Sequence, residues 1–121
     1  MGRVIHFEIN ADQPQRAVDF YRGVFGWSVQ SWPGNPYWLL TTGPDGRPGI
    51  NGAIRRREQP HAGVFPVVEV ESVEAACAAI TRAGGKLLQG KLPVPGVGWS
   101  VYCEDPEGNT FGLMQLDPDA K

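Results

Sequence analysis

The sequence is poor in the residues that most often carry chemistry or cross-links, with two cysteines, two histidines and two methionines in 121 residues. Cys77 and Cys103 are too few and too far apart for a disulfide framework or a thiolate zinc site. An excess of one charge is also missing. Eleven Lys and Arg stand against thirteen Asp and Glu, a formal charge of −2, which argues against a nucleic-acid partner because such binders present a basic surface. No apolar run approaches the ~20 residues of a membrane-spanning helix. The N-terminal Met-Gly-Arg-Val-Ile-His-Phe-Glu lacks the apolar core of a signal peptide, so a cytoplasmic location and no membrane partner are expected. The length suits one domain spanning 1–121, and 41% hydrophobic with 20% charged residues is a globular rather than a disordered balance.

Glycine and proline are abundant instead. Sixteen glycines and eleven prolines make up about a fifth of the chain, against roughly 12% in ordinary proteins. They punctuate apolar segments rather than cluster, which implies many short elements joined by tight turns.

Val4 to Asn10 alternates, with Ile5, Phe7 and Ile9 apolar and His6, Glu8 and Asn10 polar, the pattern of a half-buried strand. Asp12 is the expected N-cap of a helix, with Pro14 in its first turn and Gln15 at the capping-box position. Ala17, Val18, Tyr21, Val24 and Phe25 form its apolar stripe, and Gly26 stops it. Strands are predicted over 27–31, 37–42 and 49–56, with turns at Pro33-Gly34-Asn35-Pro36 and Gly43-Pro44-Asp45-Gly46. The order is βαβββ.

The order then repeats. A strand over 63–70 leads to a helix capped by Ser72, with Val73, Ala76, Cys77, Ile80 and Ala83 on its stripe and Gly84-Gly85 at its end. Strands over 86–92, 98–104 and 110–116 follow, the last two joined by Asp105-Pro106-Glu107-Gly108. A shift of 59 residues brings Gly26 onto Gly85 and Gln30 onto Gln89, and a shift of 62 brings one four-residue turn onto the other. Two modules, 4–57 and 63–116, are therefore expected within one α+β domain.

Tandem βαβββ modules in so short a chain resemble the vicinal oxygen chelate superfamily of glyoxalase I, extradiol dioxygenases, fosfomycin-resistance enzymes and bleomycin-resistance proteins. The resemblance covers about residues 4 to 116. It is carried by His6 on the first strand, Ala17-Val18-Asp19-Phe20-Tyr21 followed by Phe25-Gly26-Trp27, and Asp105-Pro106-Glu107-Gly108-Asn109. His6-Phe7-Glu8-Ile9, Gly49-Ile50-Asn51-Gly52, Pro95-Gly96-Val97-Gly98-Trp99 and Phe111-Gly112-Leu113-Met114-Gln115 are similar to a glyoxalase-like branch of it. The resemblance implies half-open barrels enclosing a cavity, and a homodimer. It also implies metal ligands, typically His or Glu, on the first and last strands of the modules. Aligned on these motifs, those positions hold His6, Gly52, Phe65 and Gly112. One imidazole falls short of the roughly three protein ligands of a catalytic zinc, so no metal and no cofactor is expected.

His6 and Glu8 share a strand face, roughly 6.5 Å apart, and can act on one ligand as proton donor, acceptor or base; equally, they can be polar residues on a solvated strand. Trp27, Trp32, Tyr37, Trp38, Phe65, Trp99 and Tyr102 lie in or beside the expected strands and can line a small-molecule cavity or pack a core. Tyr37 and Trp38 must point to opposite sides. Gly52 and Gly112 either make room for a ligand or relieve crowding in curved strands. The expected ligand-binding set is thus His6, Glu8, Trp38, Gly52, Phe65, Trp99, Tyr102 and Gly112. Arg55-Arg56-Arg57 reads as a solvated face or a protected edge, with an anion site as the alternative, Cys77 as a core thiol, Cys103 as a thiol without a base beside it, and His61 as an exposed residue between the modules.

The expected function is binding or sequestration of a small organic molecule in a metal-free cavity, as the resemblance to bleomycin-resistance proteins implies. The competing expectation is a lyase, isomerase or epimerase that uses His6 and Glu8 for proton transfer, with or without a recruited divalent metal.

Overall fold

The structure, a computed structural model, describes residues 2–31, 34, 36–59 and 62–121. It is a mixed α+β fold in which a βαβββ order is followed by βαββββ, the second copy carrying one strand more than expected. Two compact units are present, His6–Val64 and Phe65–Lys121, the second joined by the N-terminal residues up to Ile5.

In the first unit the elements are β1 (Arg3–Ala11), α1 (Pro14–Phe25), β2 (Ser28–Ser31), β3 (Tyr37–Thr41) and β4 (Gly52–Arg56). β2, β3 and β4 form an antiparallel meander, and β4 returns to lie parallel to β1 with Phe7 opposite Gly52 and Ile9 opposite Ile54. Alternation along β1 sends Phe7, Ile9 and Ala11 under the helix. There they meet Val18, Leu40 and Ile54, with Ala17, Tyr21, Trp27, Val29 and Trp38 packed around them.

The second unit has β5 (Val64–Glu69), α2 (Val73–Arg82), β6 (Lys86–Leu87), β7 (Leu92–Val94), β8 (Gly98–Glu104) and β9 (Thr110–Leu116). The pairing scheme is the same: β5 runs parallel to β9, β9 antiparallel to β8, and β6 pairs with β8. Its helix covers Val73, Val101, Cys103 and Leu113, flanked by Val68, Val70, Ala76, Cys77, Ile80, Trp99 and Phe111.

Several local expectations change. Asp12 is not the cap of α1: the N-cap is Gln13, with no side-chain cap bond. Asp12 Oδ1 instead accepts from Arg57 Nε at 2.9 Å, so an ion pair from 45 residues away takes the carboxylate that a capping box would use. Gln15 Nε2 donates to Asp19 rather than back to the cap. Val24 and Phe25, expected on the buried stripe, are exposed together with Phe20, although Phe25 stacks on Tyr21 and Trp27. Gly26 stops α1 at φ +72°, a left-handed conformation that costs glycine least.

β4 begins at Gly52 rather than 49 because the preceding residues bond elsewhere: Thr42 Oγ1 donates to Ile50 O, and Thr42 N donates to Asn51 Oδ1. The predicted strand over 86–92 is broken into β6 and β7. Pro93 and Pro95 lack N–H donors, and Val97 N turns back to Val94 O, making β7 one arm of a hairpin with β8. On α2, Ser72 Oγ accepts from Ala75 N as expected, while Ala83 is an exposed C-cap. No helix among the described residues is long and apolar enough to cross a membrane. Trp32, His61 and part of the turn at 33–36 lie outside the described residues.

Candidate ligand site

The helix-free face of the first unit is built by register. Since Phe7 and Ile9 face α1, His6, Glu8 and Asn10 face the other way. The β1–β4 ladder sets Ala53 beside Glu8 and Arg55 beside Asn10, and β3 brings Leu39 beside Ala53 and Tyr37 beside Arg55. One sheet face thus carries an imidazole, a carboxyl group, a carboxamide, a guanidinium and a phenol.

His6 Nε2 and the Tyr37 hydroxyl share a hydrogen bond of 3.1 Å. Burial pushes the His6 pKa below its ordinary value of 6.5, and the nearby Glu8, which favours imidazolium, offsets this only partly. The ring is therefore neutral at pH 7, with one nitrogen able to accept and the other to donate. Glu8 is 2% exposed, and among the described residues its Oε1 has no hydrogen-bond partner. An unsatisfied buried polar group costs roughly 1–3 kcal/mol, so Glu8 Oε1 is a position where a hydrogen-bond donor would be stabilised. Asn10, 6% exposed, donates from both its backbone N and Nδ2 to Gly63 O at 2.9 Å.

The arginine run is not the solvated face expected. Arg55 is 6% exposed and Nη2 donates to Glu58 Oε2 at 2.9 Å. Arg57 holds Asp12 and also donates to Ala62 O. Only Arg56 of the three is exposed. Strand alternation explains the difference between Arg55 and Arg56, the last two residues of β4, which must point to opposite faces.

Other expected ligand contacts lie elsewhere. Trp38, paired with Ile54, is on the α1 side in the core. Gly52 is on that side too: a Cβ there would meet the Phe7 ring and Phe7 O at 2.6 Å, so its missing side chain makes room for Phe7. Gly112 lies on the helix-free face of the second unit, opposite Tyr102 and Val67. A Cβ there would lie 3.2 Å from Val67 and 3.5 Å from Tyr102. The two glycines are thus not equivalent. Val67 stands two residues after Phe65 and Glu8 two after His6, so the first-unit counterpart of Gly112 is Ala53.

Phe65 and Tyr102 share the helix-free face of the second unit, their rings edge to face at 5.7 Å. Trp99 packs on the α2 side. Its Nε1 donates to Asp117 Oδ2 at 3.0 Å, and Lys91 Nζ, itself bonded to Glu74, sits 4.4 Å from its ring centroid. The bond from Trp99 holds the Asp117 carboxyl below the usual range. Cys103 is fully buried and its thiol is pushed up to about 11, first by burial and then by Cys77. A thiol that holds its proton so firmly is a poor nucleophile at neutral pH.

Sequence reasoning placed His6, Glu8 and Asn10 on one side of the strand and offered Tyr37 among several aromatics, but missed Arg55 as their neighbour. The alternation of Tyr37 against Trp38 was the available signal. Choosing between them required the β3–β4 register.

With this geometry in view, comparison with known proteins gives a consistent pattern. A sequence model described as the glyoxalase/bleomycin resistance protein/dioxygenase superfamily matches residues 3–113. A glyoxylase-like domain-containing protein of Didymella fabae is 29% identical over 118 residues, covering 93% of this chain and 92% of that protein. A lactoylglutathione lyase of Escherichia coli is 26% identical over 125 residues, again 93% and 92% of the two chains. Among solved structures, a methylmalonyl-CoA epimerase of Streptomyces coelicolor superposes with a TM-score of 0.65 at 16% identity, covering 98% of this chain and 97% of the other. At that identity the likeness is one of fold.

The residues present do not fit the metal that the resemblance implies. Its ligand positions hold Ala53, Phe65 and Gly112, none of which carries a donor. His6 and Glu8 alone fall short of about three protein ligands. No group of three His, Cys, Asp or Glu that could hold an ion occurs among the described residues.

Proposed function

The chain belongs to the glyoxalase/bleomycin resistance protein/dioxygenase superfamily, and from that premise we propose that it binds a small organic molecule, without a metal, on the His6–Glu8–Tyr37 face of its first unit. The observation that carries this reading is the helix-free face itself. It holds a neutral, half-buried imidazole bonded to a phenol, next to a buried carboxyl oxygen that no described residue satisfies. Few polar groups at fixed positions on an otherwise packed wall are what a small-molecule site requires. Sequestration needs no more than this.

A second reading, proton-transfer catalysis of the lyase, isomerase or epimerase type, is favoured by one specific observation. An imidazole kept neutral at pH 7 on the same strand face as a carboxyl group is a competent general base. Lactoylglutathione lyase and methylmalonyl-CoA epimerase among the similar proteins support the same class. In that reading His6 takes or returns the proton and Glu8 orients the ligand. The homodimer and the cytoplasmic location belong to this proposal as well, and sedimentation velocity reads the first.

Metal analysis and a thermal-shift screen of the purified full chain test the proposal. We expect well under one divalent ion per chain, and a rise in melting temperature with planar aromatic metabolites or antibiotics, since a ligand stabilises by RT ln(1 + [L]/Kd). About one tightly held ion per chain overturns the metal-free reading.

A further inference from the structure

The polar strip of β1 does not end at His6. Successive residues on its helix-free face are His6, Glu8 and Asn10, spanning about 13 Å at ~3.3 Å per residue. Outside the strand, His6 has Tyr37 as its partner. The inner two residues are different. Directly across the ladder Glu8 faces Ala53, which is 0% exposed, and beyond it Leu39, neither of which offers a side-chain donor to its carboxyl group. The Arg55 guanidinium on the same face stands beside Asn10 and donates from Nη2 to Glu58. Asn10 is fixed in orientation, because Nδ2 donates to Gly63 O and only Oδ1 can then point the other way. Among the described residues neither Glu8 Oε1 nor Asn10 Oδ1 receives a hydrogen bond, although both side chains are more than nine-tenths buried.

Two fixed acceptors without donors define a chemistry. Resting on the ligand-binding reading above, we infer that the ligand reaches past His6 with a donor-bearing end, a hydroxyl or a primary ammonium, that hydrogen-bonds Glu8 Oε1 and Asn10 Oδ1. Groups that only accept, such as an ether or an ester, are disfavoured there because they leave both oxygens unsatisfied even with the Arg55 guanidinium beside Asn10. The ammonium source gains a charge-assisted bond from Glu8, whereas the hydroxyl source depends equally on both residues.

Amide and side-chain NMR of the full-length protein tests this with three probes of similar size: ethanolamine, ethylene glycol and 1,2-dimethoxyethane. The expected result is a saturable shift of the Asn10 carboxamide signals with the first two and none with the diether. Ethanolamine binding tighter than the diol identifies an ammonium, and equal binding identifies a hydroxyl. In Glu8→Gln, which keeps size and shape, an ammonium ligand weakens by about tenfold or more and a diol by less than about threefold. Equal shifts with dimethoxyethane overturn the inference. So does an undisplaced long-lived water showing cross-relaxation to the Asn10 carboxamide, since that water is then the missing donor. Shifts confined to His6 and Tyr37 overturn it too, while leaving the ligand-binding reading intact. Failure of that reading itself looks different: no probe or screening compound then moves any residue of the face.

Discussion

The two units run the same topology with opposite chemistry. Both lay their first strand parallel to their last and cover one face with a helix. On the helix-free face of the first, His6 and Glu8 occupy the places that Phe65 and Val67 take in the second. Phe65 is 3% exposed and closes edge to face on Tyr102, whereas His6 bonds a phenol and Glu8 keeps an unsatisfied oxygen. A repeated fold therefore fixes where side chains can point but not what they do. One copy has spent its face on packing, and the other has kept it polar.

The sharpest way to break this comparison is to truncate the equivalent residues. Phe65→Ala is expected to lose about 3–4 kcal/mol of stability through lost burial and a cavity. His6→Ala at pH 7.5 should lose no more than about 1 kcal/mol, since its half-buried ring lies outside the hydrophobic cluster under α1. Urea unfolding of both variants decides it, and equal losses would mean that the two faces are alike.

The glycines give a smaller contrast. Gly52→Ala forces a Cβ against the Phe7 ring and backbone at 2.6 Å and should cost about 2–3 kcal/mol. Gly112→Ala meets Val67 at 3.2 Å and Tyr102 at 3.5 Å, which a slight shift relieves, so under about 1 kcal/mol is expected. Denaturation midpoints in the reverse order would show that the β1–β4 approach is not as close as described.

The smallest effect is electrostatic. Burial lowers the folded-state pKa of His6 below 6.5, so the unfolded chain binds the proton more readily. The contribution of neutral His6 is complete above the unfolded value and is lost as pH falls through the folded one. His6→Gln should therefore flatten the fall in stability below pH 6.5. Identical pH profiles for wild type and variant would rule this out.

Much of this was legible without coordinates. The alternation of β1, the Ser72 cap and the Gly26 stop are local signals, and each acted as its chemistry predicts. What escaped depended on partners distant in sequence. Asp12 had the composition of a cap but was taken by Arg57. Trp38 and Tyr37 were known to diverge, yet which of them joined His6 was set by the β3–β4 register. Gly52 and Gly112 looked equivalent because motif alignment tolerates an offset of one residue. On a strand that offset moves a side chain to the other face. The candidate site was thus half readable: His6, Glu8 and Asn10 follow from periodicity, while Tyr37 and Arg55 join them only through strand pairing.

The central claim, that ligand binding resides on the polar face of the first unit, is tested most directly by the dissociation constant of the strongest screening hit in paired variants. Binding to His6→Ala should weaken by at least about tenfold, while Trp99→Ala, altered on the α2 side of the second unit, should bind within about twofold of wild type. Unchanged affinity in His6→Ala together with loss in Trp99→Ala would place the ligand elsewhere and contradict the account.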